Sequence, residues 1–101
     1  MEKTVQIIQQ GALTERPYQD RNGQQQVFAT MGWTLTDGID TFYAEMQGDL
    51  ARSYRDCHPD PSIWHRVQLQ MGIREYRDRD NNPHVSNEIR IIKMVLKLRR
   101  R

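Results

Sequence analysis

Arg74-Glu75-Tyr76-Arg77-Asp78-Arg79-Asp80-Asn81-Asn82-Pro83-His84-Val85-Ser86-Asn87-Glu88-Ile89 reads as a β-hairpin: an alternating strand ends in an aromatic, a polar turn follows, and a second strand begins. Before the turn, Val67, Leu69, Met71 and Ile73 alternate with Arg66, Gln68, Gln70, Gly72, Arg74 and Tyr76. Successive side chains of a strand point to opposite faces, so the apolar set shares one sheet face and the Arg, Gln and Tyr set the other. A strand face that presents arginines and an aromatic to solvent has the chemistry with which small barrels hold single-stranded nucleic acid.

The two strands of this hairpin are expected over Ile63–Arg77 and about Val85–Leu98. In the second of them the inward parity shifts, from Ile89 and Ile91 to Ile92, Met94, Leu96 and Leu98. One β-bulge near Ile91 accounts for that shift. Upstream, a strand over Thr4–Gln10 points Val5 and Ile7 inward, and Gly11 suggests a bend or bulge. Gly11–Pro17 continues as an edge segment, because Pro17 has no N–H for a ladder. Asp20-Arg21-Asn22-Gly23 is a turn. A strand over Gln25–Leu35 follows, with Val27, Ala29, Met31, Trp33 and Leu35 as one stripe and Phe28, Thr30, Gly32 and Thr34 as the other. After the Thr36-Asp37-Gly38 turn, Asp40–Met46 sets Phe42, Ala44 and Met46 against Thr41, Tyr43 and Glu45. Gly48–Tyr54 reads as a short helix capped by Asp49, with Leu50, Ala51 and Tyr54 toward the core. A loop with Pro59 and Pro61 leads to the fourth strand.

Three strands, a short helix and two long strands make an all-β chain, on the plan of a five-stranded Greek-key barrel, the OB-fold, with the helix between strands 3 and 4. An all-antiparallel sandwich is the structural competitor. The chain has 101 residues, enough for one domain with a modest core. That domain is expected over residues 1–98, followed by a basic tail at 99–101. No apolar run approaches the roughly 18 residues that span a membrane, and no signal-peptide stretch opens the sequence. A single cysteine, Cys57, excludes an internal disulfide and fits a reducing cytoplasm. The net charge of +2 is carried by the C-terminal end: residues 1–96 hold 11 Lys and Arg against 13 Asp and Glu. Any grip on phosphate must therefore come from a local patch or from the tail.

Several pieces in order resemble the bacterial single-stranded-DNA-binding proteins of OB-fold type. Gly11-Ala12-Leu13-Thr14-Glu15-Arg16-Pro17 is similar to the family's G-x-L-x-x-x-P, and Asn22-Gly23 before Val27, Phe28 and Ala29 to its N-G turn and V-A-N strand. Gly48-Asp49-Leu50-Ala51 resembles the G-K-L-A helix start, and Arg74 to Ile89 the R-x-W-x-D hairpin ending in E-V. The chain departs from the pattern where the family's Trp becomes Thr41 and its groove Phe becomes Gln47. It ends Lys97-Leu98-Arg99-Arg100-Arg101 where the family has a Gly-rich linker and acidic tip, an outline closer to the primosomal replication protein of the same fold. The resemblance implies a non-enzymatic, homodimeric or homotetrameric protein of bacteria or mobile elements. It would bind single-stranded DNA in replication, recombination or repair, alongside the proteins of those processes.

The residues that would carry this chemistry are rings and cations on the polar face. Tyr76 sits with Arg66 and Arg74 and is either a base-stacking ring or a rim tyrosine packed on its hairpin. Phe28 and Tyr43 face away from the core stripes, toward a base or a second subunit. Trp33 shares the parity of Val27 and Met31, which suits core packing as well as stacking; Trp64 opens strand four on the polar side. Arg66, Arg74, Arg77, Arg79, Arg90 and Lys93 are either phosphate contacts or solvated surface charge, and Arg99–Arg101 is either a further contact or a soluble tail. Cys57, His58, His65 and His84 match no standard metal spacing, and no P-loop, Gly-rich dinucleotide turn or nucleophile elbow is present, so neither cofactor nor catalysis is expected. Two other functions share the fold: a primosome-type protein adaptor that touches DNA weakly, and an RNA-binding barrel.

Overall fold

The computed structural model describes residues 1–95 as five strands and one short helix. They run β1 (Glu2–Gln19), β2 (Gln25–Thr36), β3 (Thr41–Gln47), α1 (Gly48–Ser53), β4 (His65–Arg77) and β5 (Pro83–Val95). Sheet order is β1-β2-β3-β5-β4, and β4 pairs back onto β1, so the strands close into a ring. Neighbours are antiparallel except β3 and β5, which meet in parallel at Glu45 and Arg90. That pair and the closure exclude an all-antiparallel sandwich. The readings of Leu96, Leu98 and the Arg99–Arg101 tail lie outside the described residues.

The ring interior follows from the alternation. Val5 and Ile7 of β1, Met31, Trp33 and Leu35 of β2, Ala44 and Met46 of β3, Val67 and Leu69 of β4, and Ile91 and Met94 of β5 pack together there, and Ala29 is buried at the base of the hairpin beyond it. Ala51 and Tyr54, on α1 and just after it, plug one end, and the Tyr54 ring meets Trp33 edge to face at 5.6 Å. Burial pushes the Tyr54 phenol above its ordinary value, and the neighbouring Cys57 adds to the rise. Gln10 ties the segment after α1 to β1, donating to the carbonyls of Tyr54 at 3.1 Å and Cys57 at 3.0 Å. Asp49 does not cap the helix as expected. Gln47 is the N-cap residue and makes no side-chain cap bond, while Asp49 pairs with Arg52 at 3.0 Å.

Two departures from regular register shape the ring. The β1–β2 ladder shifts between Ile7 and Gln9 and again between Gln10 and Leu13, around the expected Gly11 irregularity. The β4–β5 ladder shifts by one residue between Gln68 and Leu69, opposite Lys93 and Ile91. The extra residue is Ile92, one position beyond the expected bulge; it is exposed, not inward, and parity resumes at Met94.

Beyond the ring both long hairpins continue as two-stranded arms. The β1–β2 arm pairs Thr14–Gln19 with Gln25–Thr30, and the β4–β5 arm pairs Met71–Arg77 with Pro83–Ile89. β1 is therefore one continuous strand through Gly11 to Gln19, longer than Thr4–Gln10, and only Glu2–Val5 pairs with β4. The two arms end in the same turn. Asp20 Oδ1 accepts from the backbone N–H of Asn22 and Gln24, and Asp78 Oδ1 from Asp80 and Asn82, each at 2.9 Å. The fourth residue of each turn has positive φ, 78° at Gly23 and 63° at Asn81, residue types that tolerate it. A third Asp closes β2 to β3. Asp37 Oδ1 accepts from Asp40 and Ile39, and Lys3 binds its other oxygen at 2.9 Å. The Asp40 amide, Lys3 and the Ile39 amide hold this carboxyl well below the ordinary carboxylate range.

Candidate nucleic-acid interface

The outward face of the ring is read from the same parity. On β2 it carries Phe28, Thr30, Gly32 and Thr34, on β3 Tyr43, Glu45 and Gln47, and on β4 Arg74 and Tyr76. Tyr43 is 62% exposed and leans across β2 over Gly32. A Cβ at residue 32 would collide with the Tyr43 hydroxyl and ring, so glycine is what lets the ring lie there.

Past the Glu45–Arg90 pair, β3 and the β4–β5 arm part. The gap is a groove of about 290 Å³ lined by Tyr43, Glu45, Gln47, Arg74, Arg90 and residues 86–89. Tyr43 also borders a shallow hollow of about 300 Å³ on its other side, floored by Gly11, Gly32, Thr14 and Thr30. One exposed ring thus joins two concavities. The charges in the groove are mixed. Arg74 pairs with Glu88 at 2.7 Å, and Glu45 accepts from Gln47 Nε2 at 2.9 Å. Among the described residues, no ion pair engages Arg90. The wall therefore offers guanidinium groups and a flat ring, with carboxylates that must yield or be avoided by any polyanion.

Tyr76 lies farther out on the β4–β5 arm, 49% exposed. One face of its ring is occupied: His84, its cross-strand partner, stacks on it at 5.3 Å with the planes 18° apart. His84 is held in turn by Asp78 Oδ2 at 2.7 Å. That bond, with the backbone amides of Asn82 and Asp80, lowers the Asp78 carboxyl below its ordinary value. His84 thus covers one face of the Tyr76 ring.

No family model matches the chain. No curated protein matches it closely enough to indicate a relative. The assignment of a role rests on the geometry.

The sequence candidates divide into three groups. Tyr43 and Arg74 come together in the groove, with Tyr76 on the arm beside it. Phe28 is exposed on the same outward face but belongs to the other arm. The remaining four stand elsewhere. Trp33 is wholly buried, its indole N–H without a hydrogen-bond partner among the described residues, so it cannot present a ring to a base. Trp64 precedes β4 and borders Gly38 in the β2–β3 turn. Arg66 lies 3.6 Å from Glu2 at the β1–β4 seam, and Lys93 stands opposite Gln68. Neither lines the groove. Arg90, a phosphate candidate of the sequence, lines the groove, and Arg16 and Tyr18 complete the outward face in ways the sequence reading missed. For Arg16 and Tyr18 the signal was parity: once Leu13 pairs with Met31 beyond the Gly11 shift, Thr14, Arg16 and Tyr18 fall on the Phe28 side.

Among the described residues no three His, Cys, Asp or Glu side chains gather as metal ligands, and no helix is long and apolar enough to cross a membrane.

Proposed function

We propose that the chain is an OB-fold module that binds single-stranded DNA with little sequence preference, in replication, recombination or repair. The order β1-β2-β3-β5-β4, with a short helix between β3 and β4, is what the five-stranded Greek-key plan requires. The observation that carries the reading is Tyr43, an exposed ring laid over Gly32 at the junction of two concavities and near Arg74 and Arg90. Every nucleobase has a flat π face, so a ring at the floor of such a track stacks bases whatever their identity, while guanidinium groups take the phosphates. Tyr76 extends the track along the arm. A single groove of this size grips few nucleotides, so self-association into a dimer or tetramer would raise avidity by joining grooves. The chemistry needs no cofactor and no catalytic group.

Glu45 and Glu88 in the groove, with the negative balance of residues 1–96, favour a second reading, a protein adaptor of primosome type. Titration of labelled oligo-dT against salt separates the two. Binding whose logarithm falls by about 0.7 per phosphate contacted for each tenfold rise in salt supports the DNA reading. No binding at about 50 mM salt favours the adaptor, and a strong preference for RNA makes the chain an RNA-binding barrel. In the same titration Tyr43→Ala weakens oligo-dT binding about tenfold, and Tyr76→Ala by a similar or smaller factor, because a lost base stack is worth roughly 1–3 kcal/mol. Unchanged affinity in Tyr43→Ala would remove the ring from the site.

A further inference from the structure

Arg16, Tyr18 and Phe28 stand together on the outward face of the β1–β2 arm, where with Pro17 they line an open slot of about 470 Å³. Arg16 pairs directly across the ladder with Phe28, and Tyr18 with Gln26, so the two rings are diagonal neighbours with the guanidinium beside them. Tyr18 and Phe28 are 49% and 38% exposed, and among the described residues neither stacks on another ring. No described carboxylate pairs with Arg16. This differs from the other arm, where Tyr76 is already covered on one face by His84 and Arg74 is already paired with Glu88.

We propose that this slot is a nucleotide subsite: one base packs against Tyr18 and Phe28, and the adjoining phosphate pairs with Arg16. The ligand class follows from the groups present. Two exposed, unstacked rings on one sheet face take a flat aromatic, and a guanidinium without a carboxylate takes an anion in bidentate fashion. A single-stranded nucleotide supplies both from one unit. The slot is also in line with the groove. From Phe28 the outward stripe of β2 passes Thr30 to Gly32, about 13 Å at 3.3 Å per residue, and reaches the ring of Tyr43. A strand that leaves Tyr43 along the β1–β2 arm therefore meets the slot next. The inference rests on the single-stranded-DNA reading above and adds an end point to its path.

The test compares two lengths of labelled oligo-dT, a hexamer and a 20-mer, on the unaltered chain, Arg16→Gln, Tyr18→Ala and Tyr18→Trp. The subsite predicts that Tyr18→Ala and Arg16→Gln each weaken the 20-mer about tenfold while leaving the hexamer, held in the central groove, within a factor of about two. Tyr18→Trp keeps wild-type affinity and shows its indole emission quenched by the 20-mer, because a ring is restored at the same place. Both side chains are exposed, and unchanged melting curves establish that the variants fold. If the unaltered chain binds neither oligomer, this subsite and the reading beneath it both fall. If it binds the 20-mer and Tyr18→Ala and Arg16→Gln bind it equally well, the subsite alone is overturned. If Tyr18→Ala lowers the mass in light scattering without changing DNA affinity, the slot is a contact between copies of the chain, and the proposal is likewise overturned.

Discussion

Within β4, four apolar residues at alternate positions meet two fates. Val67 and Leu69 are sealed in the ring, while Met71 and Ile73, on the same strand face, stand more than half exposed on the arm. β2 repeats the contrast from the other direction, with Val27 exposed on its arm and Ala29, Met31, Trp33 and Leu35 buried. Alternation states which side chains share a face; it does not state how far the opposing wall extends. Burial needs a strand across the interior; along β4 the pairing with β1 ends at Gln68, opposite Glu2, and along β1 it ends at Val5, opposite His65. Past those points the strands of each hairpin pair only with each other, although the base of the β1–β2 arm is also held by Arg52, which donates to the Val27 carbonyl at 3.0 Å, and by Arg55, which pairs with Glu15 at 2.7 Å. The ring is thus the source of cohesion, and the arms are surfaces carried by it.

Substitutions at matched positions test that division. The largest expected effect is in the ring: Trp33→Ala removes the biggest buried side chain and costs about 3–5 kcal/mol of unfolding free energy in urea titration. A loss under about 1 kcal/mol would mean that the interior is not closed around the indole. Next comes the pair within β4. Leu69→Ala should cost about 2–5 kcal/mol and Ile73→Ala no more than about 0.5, although the sequence presents the two residues alike. Equal costs would show that the arm face is covered in solution. The smallest effect is local and depends on pH. The Asp78 carboxylate is favoured in the fold by His84 and by the amides of Asn82 and Asp80, so its folded value lies below the ordinary 3.8. Its contribution is therefore complete above the ordinary value and is lost as pH falls through the lower, folded one. Amide exchange of Asp80 and Asn82 should stay slow at mildly acid pH and quicken only in stronger acid. Asp78→Asn should abolish that dependence without changing the global melting temperature.

This division also explains what was legible beforehand. The order of the elements, the inward sets Val5 and Ile7 or Ala44 and Met46, and the need for a bulge in β5 follow from a period of two and where it breaks. Phe28, Tyr43 and Tyr76 were placed on the outward face by the same count. Trp33 was ambiguous because parity assigns it inward while its residue type suits stacking; closure of the ring decides for the core. Arg16 and Tyr18 escaped because Pro17 marks that segment as an edge, and an edge read without its partner has no assigned face. The ion pair that occupies Arg74 and the ring that covers Tyr76 are contacts across a ladder, visible only once the register between β4 and β5 is known.

One seam in the ring is unlike the rest. β1 and β2 are stitched along most of their length, as are β4 and β5, but among the described residues the β3–β5 ladder has a single residue pair, Glu45 with Arg90. That junction is the clasp of the bracelet. Because its two side chains also line the groove, the hollow opens at the seam with the fewest ladder pairs among the described residues, away from Trp33 and its buried neighbours.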